Sequence, residues 1–176
     1  MLLHDYEPFP MHQSGGTYMR AEPSMAKELI WAGFDIVSTA NNHTGDYGAE
    51  GMRLTLKYLN DYGLVNAGAG ESLEEDREAK FIETSKARVA LISCASTFPD
   101  HSRAGTSRGD TNSRPGLSPL RFSTEFIVTK EYFENIKKLK KEFDLNKFSE
   151  KDENSLIEIN FSGRNYRVGD NNEIIT

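Results

Sequence analysis

The first part of the chain alternates helix-like and strand-like segments, and this order constrains the fold more than any other feature. Apolar side chains recur at helical spacing over residues 23–32 and 48–62, and each of these segments ends before a glycine. Compact apolar runs follow at 34–38 and 64–67, and both are predicted to be strands, the first of them buried. Helices that alternate with strands favour a layered α/β architecture with parallel strand pairing.

The remainder of the chain predicts a hairpin, a long irregular loop, a helix and a C-terminal β-hairpin region. Ser72 stands three residues before Glu75, which is the spacing of a helix cap. Residues 96–120 carry almost no periodic apolar signal, and a stretch of this length inside a compact domain is usually functional or disordered. The other predicted elements are hairpin strands at 79–84 and 87–94, a helix at 130–144, and β-like runs at 155–161, 164–168 and 173–176.

The charge balance argues against nucleic acid as a partner. With 27 acidic and 21 basic residues the formal net charge is −6, which repels a phosphate backbone unless a strong basic patch exists. Four lysines between residues 137 and 141 are flanked by acidic residues, a pattern typical of a solvated helix face. The single cysteine, Cys94, cannot form an internal disulfide, and its apolar neighbours favour a buried strand residue over a nucleophile.

The sequence contains no segment that predicts membrane insertion. No run approaches the roughly 20 apolar residues that a membrane-spanning helix needs. The first five residues also lack the basic and apolar regions of a signal peptide. As written, the chain is expected to be soluble and unexported, and composition leaves its cellular location open.

A polar turn after the first predicted strand is the strongest candidate for a functional site. It places Asn41, Asn42, His43 and Asp46 between a strand end and a helix start, where ligands bind in open α/β sheets. An amide oxygen can ligate a cation without adding charge, and a nearby imidazole can bind metal or donate a proton. The alternative is structural: the two asparagines form a turn, Asp46 caps the next helix and His43 is merely exposed.

The sequence around this turn resembles a known family. Residues 40–43 read Ala-Asn-Asn-His and are followed by Asp-Tyr-Gly at 46–48, which is similar to the Asn-Asn-His signature of CapA-like proteins of poly-γ-glutamate capsule synthesis. The resemblance implies a calcineurin-type, metallophosphoesterase-like layered α/β fold, of which residues 1–176 are a single-domain fragment. Further similar segments lie at 67–70, 89–93, 97–105 and 114–117, so that the resemblance is strongest over 1–128.

By this resemblance Asn42 is a metal ligand and His43 is an acid or a phosphate contact. An intact family member is expected to hold a divalent metal such as Mn, Zn or Fe. The family's N-terminal Gly-Asp motif and C-terminal Gly-His-x-Pro-His motif are missing from this sequence, however, and no histidine follows His101. One amide and one imidazole are too few for a dinuclear site, so this chain alone is expected to hold no metal and to be catalytically inactive.

Residues of the long loop are candidates for binding an anionic polymer or a phosphoester small molecule. Arg103 and Arg114 offer planar donor forks suited to carboxylates and phosphates, and we include His101 and Asp46 in this substrate-binding set. The alternative is an exposed, solvated loop. A nucleophilic triad at 100–102 is rejected, because three consecutive residues cannot all face one another.

The resemblance implies a CapA-like capsule synthesis protein that acts on or binds an anionic polymer or a phosphoester. Two alternatives are a non-catalytic module that binds anions without metal, and an inactive fragment of a split gene. A partial domain leaves strand edges and apolar faces uncovered. Self-association, or a second chain that completes the sheet, is therefore expected.

Overall fold

A computed structural model describes residues 2–5, 10–13, 16–143 and 158–169. The chain divides into two compact units, Met1–Arg121 and Phe122–Thr176. Helices and strands are mixed in both units, which confirms the predicted α/β class. Within the described ranges, no helix combines the length and the apolar character needed to cross a membrane.

The described part of the first unit contains three helices and eight short strands. In chain order the elements are β1 (Leu2–Leu3), β2 (Arg20–Ala21), α1 (Met25–Trp31), β3 (Ile36–Ser38), α2 (Gly48–Asp61), β4 (Val65–Ala67), β5 (Ala69–Gly70), α3 (Leu73–Asp76), β6 (Lys80–Glu83), β7 (Arg88–Leu91), a 3-10 turn (Asp100–Ser102) and β8 (Gly116–Leu117). Strands β3 and β4 pair in parallel, and the predicted order of helix, strand, helix, strand is confirmed for α1, β3, α2 and β4. Strands β1 and β2 also pair in parallel, whereas β6 with β7 and β5 with β8 are antiparallel.

The apolar core of this unit lies where α1 and α2 contact β1. Leu3, Ala26, Leu59 and Leu64 are buried against one another. The Leu3 N–H donates to the Thr55 hydroxyl at 3.0 Å, which ties β1 to α2. Burying a leucine side chain stabilises a fold by about 1.5–3 kcal/mol, so this cluster holds α2 in place relative to the strands.

Two positions predicted to be buried are not. Strand β3 is shorter than the apolar run, its residues are half-buried or exposed, and Phe34 before it is 53% exposed. Among the described strands β3 pairs only with β4, so the burial on both faces that the run predicts is not reached. Cys94 is exposed because Ser93 and Ala95 on either side are buried, and successive residues of extended chain point in opposite directions.

The long loop is organised by backbone hydrogen bonds around β8. The Ala104 N–H donates to the Leu117 carbonyl at 3.0 Å, and the Gly105 N–H donates to the Arg114 carbonyl at 2.9 Å. The next residue after β8, Ser118, donates its N–H to the carbonyl of Gly68 at 2.8 Å. The loop therefore folds back on itself and returns to the carboxyl end of β4. Because β3 and β4 are parallel, the polar turn after β3 lies at the same edge.

The second unit combines a helix with a three-stranded sheet in its described part. Strand β11 lies between β10, with which it forms an antiparallel hairpin, and β9, with which it pairs in parallel. The predicted helix and C-terminal hairpin are confirmed, and the β-like run at 173–176 lies outside the described residues. The predicted solvated lysine face is wrong at Lys140, which is buried. The elements are β9 (Glu125–Val128), α4 (Lys130–Phe143), β10 (Glu158–Phe161) and β11 (Arg164–Val168).

Gly116 tests the closure of the long loop. A Cβ atom at this position would lie 2.4 Å from the Ser102 carbonyl oxygen and 2.5 Å from the Ala104 nitrogen, both of them backbone atoms. Gly116→Ala is expected to lower the free energy of unfolding in urea by roughly 1–3 kcal/mol, as overpacking does. Gly109→Ala is the control, since nothing lies within 4 Å of its added Cβ. Equal stability of the two variants would contradict this packing.

Asp76, at the end of α3, predicts a dependence of stability on pH. It is fully buried, neither carboxyl oxygen has a hydrogen-bond partner in the described part of the chain, and burial, reinforced by nearby glutamates, raises its pKa from 3.8 to about 8. The folded state thus holds a proton that the unfolded state releases above pH 4. The resulting contribution to stability is full below pH 4 and is lost as the pH rises towards 8.

Asp76→Asn is therefore expected to raise the melting temperature near pH 8 and to change it little near pH 4. The exposed carboxylate Asp61, which pairs with Lys57, provides the matched control Asp61→Asn, for which no such gain is expected. If the melting temperature of Asp76→Asn equals that of the unmodified chain at every pH, the prediction is wrong.

Candidate functional site

The turn between β3 and α2 is held by its own polar side chains. The Thr39 hydroxyl donates to the Ala67 carbonyl at 2.9 Å, which joins the turn to the end of β4. The Thr44 hydroxyl donates to the Thr39 carbonyl at 2.6 Å. The Asn41 side-chain oxygen accepts the His43 N–H at 2.9 Å, an Asx turn. Asn41 therefore has the structural role that the sequence left open.

His43 and Asp46 form a hydrogen-bonded pair at the centre of the turn. The His43 Nδ1 and Asp46 Oδ2 atoms are 2.9 Å apart, and the same oxygen accepts the Met19 N–H at 2.7 Å. Asp46 is only 5% exposed, and these bonds offset the cost of burying its carboxylate. Because the carboxylate accepts a hydrogen bond from Nδ1–H, it orients the imidazole and leaves Nε2 for a ligand. Asp46, predicted to bind substrate, is thus placed to position His43.

An open pocket of about 430 Å³ is formed beside this pair, and we call it the turn pocket. It brings together the N-terminal segment, the turn and the start of the long loop. Asn42 is exposed there, and no other described residue makes a hydrogen bond to its side chain. The lining residues are Gly16, Thr17, Asn42, His43, Asp46, Thr97, Phe98 and Pro99.

A second cavity of about 170 Å³ also touches the turn, and we call it the histidine-pair cavity. The rings of His12 and His101 stack there with centroids 3.8 Å apart. Gly45, Ser102 and Arg114 contribute to its walls. Burial, and then the neighbouring His12, lower the pKa of His101 below its ordinary 6.5. This cavity therefore concentrates imidazole and guanidinium groups in a partly desolvated space.

The basic residues predicted to bind substrate lie outside the turn pocket. His101 and Arg114 line the histidine-pair cavity instead. Arg103 lines neither cavity, and its guanidinium pairs with the Asp100 carboxylate at 3.4 Å. Asn42, His43 and Asp46 are thus the predicted residues that the structure brings together, and the two loop arginines have separate surroundings.

Sequence reasoning did not assign His12 or Met19 of the N-terminal segment to the site. The His12 N–H donates to the Asp46 carbonyl at 2.8 Å, and the Tyr18 hydroxyl donates to the His12 carbonyl at 2.6 Å. Together with the Met19 N–H on the Asp46 carboxylate, these bonds hold the segment against the turn. Residues 1–20 are rich in Gly, Pro and His, which indicates a loop but does not specify its partners.

The donor set of the turn does not fit a resident metal ion. Among the described residues, no group of three or more His, Cys, Asp or Glu side chains is placed to hold one. Asn42 is a single exposed amide, and the Nδ1 atom of His43 is engaged by Asp46. A metal site needs several converging ligands, and within the described residues the turn supplies too few of them, so its own side chains are the groups left to contact a ligand.

Those side chains can bind or protonate an anionic oxygen. A protonated His43 donates from Nε2 while Asp46 stabilises the charge on the ring, which is the arrangement of a general acid or of an oxyanion donor. The hydroxyls of Thr17 and Thr97 line the same pocket and add neutral hydrogen-bonding groups. The turn pocket is therefore equipped for anion recognition.

Comparison with known proteins gives consistent matches over most of the chain. A family model described as "Bacterial capsule synthesis protein PGA_cap" matches residues 7–148. Two uncharacterized proteins of Sinorhizobium fredii (strain NBRC 101917 / NGR234), y4sH and y4uA, are each 37% identical over 142 residues, which is 79% of this chain and 31% of theirs. Capsule biosynthesis protein CapA of Bacillus anthracis is 31% identical over 81 residues, 46% of this chain and 20% of its own length. The chain spans less than a third of the curated relatives it matches.

The stacked imidazoles predict that His12 affects the pKa of His101. Since burial and His12 both disfavour the charged form of His101, its NMR titration midpoint is expected below 6.5. His12→Gln removes one of these two causes and should move the midpoint upward without restoring it fully. Lys86→Gln, in the turn between β6 and β7, serves as control. An unchanged His101 midpoint in His12→Gln would show that the rings do not interact.

Proposed function

We propose an anion-binding function for this chain, which belongs to the bacterial capsule synthesis protein family PGA_cap. The ligand is an anionic group of a capsule polymer, such as the carboxylate of a poly-γ-glutamate chain, or a phosphoester. The turn pocket is its site. Family membership and the relative named Capsule biosynthesis protein CapA support the capsule context.

The hydrogen-bonded pair of His43 and Asp46 is the observation that carries this proposal. When the imidazole is protonated, its Nε2–H donates a charge-assisted hydrogen bond to an anionic oxygen. Such a bond contributes about 1.5–3 kcal/mol, compared with about 0.5–1.5 kcal/mol for a neutral one. The exposed Asn42 amide in the same pocket supplies the neutral donor. Charge and direction are thus both provided for one oxyanion.

The walls of the turn pocket also suit the stem of a polymer. Phe98 and Pro99 line it on the side of the long loop and offer apolar surface to methylene groups. Thr17 and Thr97 add hydroxyls that can meet amide or ester oxygens. The volume of about 430 Å³ lies in the range of sites that take more than a single small ion.

Metal-dependent hydrolysis of a phosphoester is the second candidate function. The Asn42 and His43 positions favour it, because a metallophosphoesterase-like protein uses an amide ligand beside an acid. In the described part of this chain the remaining ligands are absent. Catalysis therefore requires ligands from outside the described residues, and the matched relatives are much longer than this chain. Binding without hydrolysis is the function we assign to the chain itself.

Isothermal titration of the full chain with a poly-γ-glutamate oligomer, and separately with inorganic phosphate, tests the proposal. His43→Gln removes the charge-assisted donor and is expected to weaken binding by at least about tenfold.

Lys86→Gln is the matched control for the loss of one positive charge far from the pocket, and it should bind as the unmodified chain does. Asp46→Asn separates positioning from contact: it keeps the shape of the side chain, yet is expected to weaken binding, because an amide does not hold the imidazole as the carboxylate does. Equal affinities for His43→Gln and the control would overturn the proposed site.

A further inference from the structure

The histidine-pair cavity has features of a binding site that the turn pocket does not explain. Its volume of about 170 Å³ is smaller than the roughly 300 Å³ at which sites for drug-sized ligands begin, so it suits one compact group. His12, His101 and Arg114 bring three nitrogen-bearing side chains to its walls. A cavity of this size and composition matches a small oxyanion.

Ser102 provides an independent observation. Its side chain lines the cavity, the residue is 3% exposed, and its Oγ atom has no hydrogen-bond partner within the described part of the chain. A buried hydroxyl without a partner costs free energy, and native proteins rarely leave one without a reason. Gly45 makes room for it, since a Cβ atom there would lie 2.0 Å from Oγ. The Ser102 hydroxyl thus lies in space left by Gly45 and can donate a hydrogen bond to a bound group.

Arg114, which lines the same cavity, is fixed by one hydrogen bond that leaves part of its guanidinium available. The Nε atom of Arg114 donates to the Arg103 carbonyl at 2.8 Å, which fixes the plane of the guanidinium while its terminal nitrogens make no contact that the described residues record. An anchored guanidinium is pre-organised for a two-pronged contact with a carboxylate or a phosphate.

The acidic groups near the cavity do not cancel this positive character. Asp46 and Asp100 are the carboxylates that act on His101. Asp46 is engaged by His43 and by the Met19 N–H. Asp100 is almost fully exposed and pairs with Arg103 at 3.4 Å. Asp46 therefore already accepts two hydrogen bonds and Asp100 already has an ion-pair partner, so both carboxylates are engaged outside the histidine pair.

We propose that the histidine-pair cavity is a second anion site, separate from the turn pocket, that takes one carboxylate or phosphate group. Arg114 supplies the paired donors, the Ser102 hydroxyl supplies a third, and an imidazole of the stacked pair supplies the fourth. The ring of His101 stacks on that of His12 with centroids 3.8 Å apart, so it is already oriented. The site does not depend on the function proposed for His43.

An NMR titration of the full chain with inorganic phosphate, and in a second arm with succinate, tests this site and distinguishes the two ligand chemistries. Saturable shifts are expected at His12, His101, Ser102 and Arg114. Ser102→Ala is the decisive variant, because the hydroxyl has no intramolecular bond to lose. It should fold normally and bind at least about threefold more weakly, whereas Arg114→Gln should weaken binding by about tenfold. Ser85→Ala, in an exposed turn, is its control.

His43→Gln separates the two sites, since it should abolish the response of the turn pocket and leave the shifts around Ser102 in place. Three results would overturn the inference: no saturable shift at these residues, unchanged affinity in Ser102→Ala, or loss of the Ser102 response in His43→Gln. The last result would mean that a single site exists and would leave the proposed function standing.

Discussion

The hydrogen bond between His43 and Asp46 is the constraint on which the rest of the site depends. The carboxylate of Asp46 is buried, so its hydrogen-bond partners must come from within the protein. The imidazole of His43 and the Met19 N–H are these partners. One side chain therefore fixes the ring of the candidate donor and fastens the N-terminal segment to the turn. The turn pocket and the histidine-pair cavity both border on this arrangement, because each includes residues of the same turn.

Backbone pairing, rather than side-chain charge, positions the long loop beside the turn between β3 and α2. Parallel pairing of β3 and β4 brings their carboxyl ends to one edge, and Ser118 bonds to Gly68 just beyond β4. Gly116 allows the returning chain to pass close to the backbone at 102–104, where a side chain would not fit. The loop thus contributes Thr97 and Phe98 to one cavity and His101 to the other, although it contains little regular structure.

Local patterns predicted the elements well, because they depend on spacing that the sequence displays directly. The helices at Met25–Trp31 and Gly48–Asp61, the Ser72 cap on the Glu75 N–H and the strand pair β3–β4 all follow from apolar periodicity and turn residues. Burial was less predictable, since Phe34 and Cys94 lie in apolar runs whose exposure depends on which other strands pair with them. Periodicity does not contain that information.

The part of the site that lies close together in sequence was predicted, because local spacing is visible in the sequence. Asn42, His43 and Asp46 stand within five residues and share a pocket, so their grouping could be inferred from a strand followed by a helix. The stacking of His12 on His101 joins positions far apart in sequence, and the separation of Arg103 from Arg114 depends on how the loop closes. Neither follows from composition or spacing.

Asp46 orients the ring of His43, and the tautomer of that ring, read from the ¹⁵N chemical shifts of its nitrogens in histidine-labelled protein above neutral pH, tests this. We expect a protonated Nδ1 and a bare Nε2, with the preference reduced in Asp46→Asn. A ring protonated mainly on Nε2, or an equal mixture that Asp46→Asn does not change, would contradict it.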